Sequence, residues 1–161
     1  MSDSKLNTYS EQGFLSIPAR LRALDGDEQP IWGLMSPQHM VEHLVGSWMN
    51  SNGKAQVKCI FEGDELGEQR KFLFSDVPYQ RNITNPVQGD GLAKLRKADL
   101  ASGIDQLESE IITFFEYHES NPQAMEVHPV FGVLDYEGWI VFQSKHMQHH
   151  LAQFNISLDC A

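Results

Sequence analysis

The chain has 161 residues, a formal net charge of −10 and an isoelectric point of about 5.0. This length is typical of one domain, so we expect residues 1–161 to form a single unit with a sizeable core. The acidic balance, without a dense Lys/Arg cluster, argues against nucleic-acid binding. The sequence has no apolar run of the roughly 18 residues that a membrane span needs and no signal-peptide pattern, so we expect no membrane partner. Its two cysteines, Cys59 and Cys160, do not make a disulfide framework, which favours a reduced, cytoplasmic protein.

Two helices are predicted in the first third of the chain. The first lies within residues 10–24, where Pro18 either starts the helix proper or kinks it. The second begins at Ser36 and Pro37, because serine at the N-cap and proline at the first helical position are a strong start signal. It continues to about Asn50.

Residues 54–98 resist assignment. Residues 56–61 and 71–74 are candidates for short strands, and the remaining prolines and glycines indicate a long irregular crossover. Such a connection is normal in a four-helix bundle whose second and third helices lie parallel.

Two further helices are predicted in the second half. The third spans roughly residues 99–119, where apolar residues recur at spacings of four and three. The fourth starts after Asp135 and ends near Asn155. The predicted fold class is therefore all-α, a four-helix bundle with a long crossover between helices two and three.

Histidine pairs on two of these helices are the main functional signal. His146 and His150 lie four residues apart on the fourth helix, as do His39 and His43 on the second. This spacing projects both imidazoles of a pair from one helix face. One histidine from the second helix would complete a three-nitrogen site with open positions, which is the layout of a catalytic metal.

The helical wheels refine this prediction. The histidines adjoin the apolar stripes of both helices, and His149 lies nearer the border, which makes it a poorer ligand than His150. Gln153, one turn beyond His150, is typical of a hydrogen-bonding partner of a ligand. Glu42 is expected on a solvated face. His39, Ser47, Trp139 and Phe142 flank the candidate ligands on the two wheels, so they are predicted to form the wall of a pocket. His128 is predicted to lie at the mouth of this pocket.

Several short segments of the sequence, here called phrases, occur in an order that resembles a known family. They are residues 32–43, residues 78–86, residues 128–132 and the pattern His146-x-x-His149-His150-x-x-Gln153. Together they resemble the DinB/YfiT-like superfamily of metal-dependent four-helix bundles, and more closely a DUF1569-type branch of it. The phrases cover most of residues 30–155, and their combination is specific.

The resemblance implies an up-up-down-down bundle and a divalent metal held by His43, His146 and His150. Zinc and nickel are the favoured metals, since imidazole ligands suit them. Position 39 is commonly glutamine in such sequences, so His39 is a departure that makes it either a fourth ligand or a residue beside the ligands. His39 and His128 are the candidate catalytic residues, as proton carriers, and Glu42 is a third possible proton carrier.

Superfamily members with known activities include transferases and isomerases that use low-molecular-weight thiols, and some resemble hydrolases. We therefore expect a divalent-metal-dependent enzyme of hydrolase or thiol-transferase type that acts on a small molecule, with a low-molecular-weight thiol as a candidate cofactor. The alternative is a non-catalytic metal-binding or stress-response protein. A DNA-damage role is a third reading, which the charge of −10 counts against. Similar proteins are often dimers, so a homodimer is also expected.

Overall fold

The computed structural model of the chain describes residues 6–81 and 91–158, which form six helices and one two-stranded antiparallel sheet. The elements in chain order are α1 (Glu11–Leu15), α2 (Ile17–Leu21), α3 (Pro37–Ser51), α4 (Gly63–Leu73), α5 (Leu100–Ser120), β1 (Glu126–His128), β2 (Gly132–Leu134) and α6 (Tyr136–Ala152). The fold is thus mostly helical, which is compatible with the predicted all-α class, and it also has one small sheet that the sequence analysis did not predict. None of the helices in the described residues is both long and apolar enough to cross a membrane.

The starts of the long helices follow local sequence signals. Ser36 caps α3 by accepting a hydrogen bond from the backbone N–H of His39. Asp99 and Asp135 cap α5 and α6 in the same way, each through a carboxylate that accepts a backbone N–H three residues later. Such caps satisfy donors that have no partner inside the helix, which is why these boundaries could be predicted.

The predicted first helix is divided in two. The break is at Ser16, and Pro18 lies in the first turn of α2, where its missing N–H costs nothing. Both short helices pack on α5. Pro18 therefore belongs to the start of a new helix, which was one of the two predicted roles.

The core lies mainly between α3 and α5, and its centre is Trp48. The Trp48 indole is fully buried and makes edge-to-face contacts with Phe14 and Phe114, at ring-centroid distances of 5.1 and 5.2 Å. Edge-to-face packing is a favoured arrangement of aromatic rings. α6 also packs on α3, so α3 is the helix shared by the core and the histidine-bearing helix α6.

The crossover between α3 and α5 differs from its prediction. Residues 56–61 and 71–74 are not strands, and α4 occupies the middle of the segment. Acidic residues in the first turn of α4 and basic residues in the last complement the helix dipole. Residues 82–90, which belong to the predicted crossover, lie outside the described residues.

Arg70 fastens α4 to the sheet. Its Nη1 donates to the carbonyl oxygens of Phe131 and Val133, at 2.7 and 2.9 Å. These contacts join residues about sixty positions apart in the sequence, so no local sequence pattern predicts them. A three-residue strand is also too short to show a reliable alternation of apolar and polar residues, which explains why the sheet was missed.

The sheet positions the start of α6. Its turn is closed by His128, whose Nδ1 accepts backbone N–H groups of Val130 and Phe131 at 3.0 and 3.2 Å. Gly132 follows with φ +73°, a left-handed conformation that glycine adopts without steric cost. The hairpin then leads directly into Asp135, the cap of α6.

The turn after α3 provides a test of this fold. Gly53 has φ +81°, and a Cβ there would lie 3.0 Å from the Tyr117 ring. Gly53→Ala should lower the free energy of unfolding by about 1–2 kcal/mol, measured by urea denaturation.

The matched control is Gly67→Ala in α4, where an added Cβ meets nothing within 4 Å. It should raise the free energy of unfolding by up to about 1 kcal/mol, because alanine is the better helix former. A destabilising Gly67→Ala would argue against α4, and a neutral Gly53→Ala would argue against the described turn.

Candidate metal site

Three histidine nitrogens converge where α3 meets α6. The Nε2 atom of His146 lies 2.9 Å from Nε2 of His43 and 3.1 Å from Nε2 of His150. The candidate ligand atoms of all three residues lie within 4.8 Å of one another. Two nitrogens bound at roughly 2.1 Å to one ion lie about 3.0–3.4 Å apart at octahedral or tetrahedral angles. The spacing therefore fits a shared cation with little movement.

Two separate factors bring the three histidines together: the spacing of residues along α6 and the packing of α3 against α6. His146 and His150 share one face of α6 because they are four residues apart. His43 reaches them only because α3 packs against α6. His146 and His150 are buried and His43 is half-buried, so the cluster lies at the edge of the core with one side nearer the surface.

Gln153 fixes the tautomer of one candidate ligand, His150. Its Oε1 lies 2.7 Å from Nδ1 of His150 and can only accept, so Nδ1 carries the proton. The lone pair of His150 Nε2 is then left to face the other two histidines. The amide nitrogen of Gln153 lies 3.5 Å from the carbonyl oxygen of Trp32. The predicted hydrogen-bonding role of Gln153 is thus seen in the structure.

The cluster is held in its neutral form. Burial, followed by the positive charge that His149 would carry, lowers the pKa of His43 to about 4. Burial and then the neighbouring histidines hold the pKa values of His146 and His150 well below 6.5. Neutral imidazoles are the form that binds metal. His146 Nδ1 is also buried, and it has no hydrogen-bond partner among the described residues.

A cavity of about 320 Å³ reaches the cluster from the α3 side. His39 and His43 both line this space, which we call the His39 cavity. His39 is not part of the group of converging ligand atoms, so the structure does not bring it in as a fourth ligand. The other lining residues are Met35, Glu42, Gly46, Leu92, Ala93, Lys94, Leu95 and Arg96.

His128 lies elsewhere. Its ring contacts Phe142 and Phe131, with centroids 4.2 and 4.7 Å away, and burial lowers its pKa to about 3. It does not line the His39 cavity. Trp139 and Phe142 are buried in the core and do not line it either. Of the wall predicted from the helical wheels, the His39 cavity contains only His39.

Glu42 is not the solvated residue that the sequence predicted. Its side chain is buried, and it accepts backbone N–H groups of Arg96 at 2.6 Å and Lys97 at 3.5 Å, together with the amide of Gln38 at 3.0 Å. Burial alone would raise the pKa of Glu42, but these donors and the Arg96 charge hold it below its ordinary value. Glu42 therefore ties the segment before α5 to the ligand-bearing helix.

A second cavity, of about 310 Å³, is lined by Trp32, Tyr79, Arg81 and His149 among others. We call it the Trp32 cavity. His149 is outside the group of converging ligand atoms and contacts Trp32 and Tyr79 at ring-centroid distances of 5.7 and 5.5 Å. No residue of this cavity was predicted as part of a site; the only signal was the family resemblance of residues 32–43 and 78–86.

Comparison with known families gives one match. Residues 80–156, just under half of the chain, match the model of a family described as "Protein of unknown function (DUF1569)". The match supports assignment of this region to an uncharacterised family and includes His146 and His150, whereas His43 lies before it. No curated protein matches the chain, and no solved structure does.

The burial of neutral histidines predicts a pH dependence of stability in the metal-free protein. The ordinary pKa of histidine is about 6.5. Below that pH the histidines of the unfolded chain bind protons. In the folded chain the three clustered histidines and His128 do not, because burial lowers their pKa values. The free energy of unfolding should therefore fall as the pH is lowered from 6.5 to 5, approaching about 1.4 kcal/mol per pH unit for each such proton.

Urea denaturation in the presence of a chelator measures this slope, and the range above pH 5 avoids most carboxylate titration. His43→Gln should show a shallower slope because it removes one buried histidine. A flat profile for the wild-type protein between pH 5 and 6.5 would contradict the buried neutral cluster.

Proposed function

We propose that the protein is a divalent-metal-dependent enzyme that acts on a small molecule, with the metal held by His43, His146 and His150. The observation that carries the proposal is the convergence of three Nε2 atoms beside a cavity. Three nitrogen ligands with a neighbouring opening are characteristic of catalytic rather than structural zinc sites. Zinc or nickel is the metal that we propose.

The surroundings of the cluster support this assignment. Gln153 holds His150 in the tautomer that a metal ligand needs. Lone pairs of neutral imidazoles at 2.9 and 3.1 Å repel one another unless a proton or a cation lies between them. When bound, a divalent cation would supply Lewis acidity, which lowers the pKa of a coordinated water or thiol. A structural core would fill this position with packed apolar side chains instead.

His39 is the proton carrier that faces the cavity. Its Nδ1 accepts the Ser36 backbone N–H at 3.4 Å and lies 2.6 Å from the Ser36 hydroxyl. A ring whose Nδ1 accepts a hydrogen bond carries its proton on Nε2, and this Nε2 is left for a molecule in the His39 cavity. His128 lies away from this cavity, with its Nδ1 occupied by two backbone donors. We therefore place His39 ahead of His128 in this role.

The finer parts of the proposal rest on the sequence resemblance. They are the DinB-like up-up-down-down bundle, the hydrolase or thiol-transferase chemistry, the thiol cofactor, the homodimer and the cytoplasmic location. The packing of α3 on both α5 and α6 is compatible with such a bundle. The geometry of the site supports metal binding more directly than it supports any one reaction.

Metal content tests the ligand set. Purified wild-type protein should hold close to one zinc or nickel ion per chain, measured by elemental analysis after dialysis. His43→Ala, His146→Ala and His150→Ala should each lose most of it, because two remaining ligands hold a metal weakly. His149→Ala is the matched control and should retain the ion.

Gln153→Leu extends this test to the residue behind the ligand. It should weaken zinc affinity about 10–100-fold, measured by competition with a chromophoric chelator, because the His150 tautomer is no longer fixed. Loss of metal from His149→Ala but not from His150→Ala would overturn the proposed ligand set.

Cobalt substitution tests whether the site is catalytic. An open coordination position should let a small thiol such as 2-mercaptoethanol bind the metal and add a thiolate charge-transfer band to the spectrum. His39→Gln should keep the metal content, because His39 is outside the ligand group. A cobalt spectrum that no thiol changes would indicate a closed site and favour the non-catalytic alternative.

A further inference from the structure

The Trp32 cavity contains polar groups that the protein itself does not use. The Tyr79 side chain is largely buried, and burial raises its pKa. Its hydroxyl has no hydrogen-bond partner among residues 6–81 and 91–158. The hydroxyl is not among the fully buried polar atoms, so it can be reached from the cavity. Its place on the cavity wall makes it available to a bound molecule as a donor or an acceptor.

Arg81 provides an unpaired cation at the same cavity. Its guanidinium lies 4.0 Å from the Trp32 ring centroid, and it has no carboxylate partner within the described part of the chain. Stacking on an indole holds a guanidinium in place while its N–H edge remains free for a bidentate contact. In a protein of net charge −10, an arginine without an acidic partner is the group most suited to an anionic ligand.

Lys145 does not compete for this role, although it lines the same cavity. Its ammonium donates to the carbonyl oxygens of Val77, Phe72 and Ser75, at 2.6, 3.0 and 3.1 Å. All three donors of a lysine are thus occupied. Asp76 also lines the cavity, but it is exposed, and its charge acts on Lys145. Arg81 is left as the cation that a ligand can reach.

His149 adds a further polar group and links the cavity to the histidine cluster. Its imidazole has no hydrogen bond within the described residues, and it lies between Trp32 and Tyr79. Tyr79 also approaches His146, with ring centroids 6.2 Å apart. The rest of the wall mixes apolar side chains, among them Val141 and Pro78, with polar ones, among them Asn7, Thr8 and Gln148. The cavity therefore offers aromatic and aliphatic surface beside polar groups that can orient a ligand, as small-molecule sites usually do.

We propose that the Trp32 cavity binds a small organic carboxylate with an apolar body. Arg81 binds the carboxylate through its guanidinium edge, Tyr79 and His149 form hydrogen bonds to the ligand, and the aromatic and aliphatic wall holds the apolar body. A carboxylate is favoured because its two oxygens match the guanidinium fork, and an apolar body is favoured by the composition of the wall. This site requires no metal and so goes beyond the function proposed above.

Tryptophan fluorescence can locate the binding, because Trp32 lines the cavity whereas Trp48 and Trp139 are fully buried. The probes are benzoate and hexanoate, with benzamide as the uncharged control. Each is titrated into protein kept metal-free with a chelator. Benzoate or hexanoate should change the fluorescence with saturation, benzamide should bind at least about tenfold more weakly, and Trp32→Phe should abolish the signal.

Two variants assign the polar contacts. Arg81→Gln should weaken carboxylate binding about tenfold or more and leave benzamide unchanged, and Tyr79→Phe should weaken it about three- to tenfold. Lys58→Gln, at an exposed position that lines neither cavity, is the control for a general charge effect and should have no effect.

The outcomes separate this site from the metal site. Binding to metal-free protein that depends on Arg81 supports the proposal whether or not the histidine cluster holds an ion. The proposal is overturned if neither carboxylate binds, if benzamide binds equally well, or if Arg81→Gln has no effect. Binding seen only after zinc is added, and insensitive to Arg81→Gln, would assign the carboxylate to the metal instead and would also overturn it.

Discussion

Three neutral imidazoles that meet between α3 and α6, two of them buried and one half-buried, constrain much of the surrounding structure. An imidazole that leaves water must have its polar nitrogens satisfied or contribute a free-energy cost. Here one nitrogen of each ring faces the neighbouring rings, so much of the cost falls where the three rings meet, in addition to the unpaired Nδ1 of His146. A cation at that point would satisfy all three nitrogens at once. The helices that carry the rings would then be held together by the ion as well as by the core.

The neighbourhood of the cluster is organised around the same point. Gln153 connects His150 to the backbone near Trp32, and the Gly33 that follows has φ +80°. A Cβ on Gly33 would lie 3.1 Å from the Gln153 amide nitrogen, so glycine allows the close approach. On α3, Glu42 fixes the segment before α5 next to His43. Each histidine-bearing helix is thus linked to a loop that borders a cavity.

The two cavities suggest a division of roles within one site. The His39 cavity reaches a proposed ligand directly, whereas the Trp32 cavity touches the cluster through Tyr79 and His149. A molecule bound in the Trp32 cavity would lie close to the proposed metal without coordinating it. Binding energy gained there could position a substrate for chemistry at the ion, which is how groups remote from the reaction contribute to catalysis.

Features that depend on local physics could be predicted from the order of the residues. The α3 start at Ser36 and Pro37 and the pairing of His146 with His150 follow from capping chemistry and helical spacing. The hydrogen bond from His150 to Gln153 also lies within one turn of chain and was predicted. Long helices could be located because their apolar residues recur over many positions, and Leu100–Ser120 matched its prediction to within a residue at each end.

Tertiary structure alone decided the features that join distant segments. The approach of His43 to His146 spans 103 residues, so spacing could suggest it but not place it. No periodic pattern in the sequence identifies the partners in three other contacts: Arg70 with the hairpin, Glu42 with Arg96, and Arg81 with Trp32. Helical wheels placed Trp139 on the pocket wall, but a wheel gives only a direction from the helix axis. Which neighbour fills that direction depends on the packing of the whole chain.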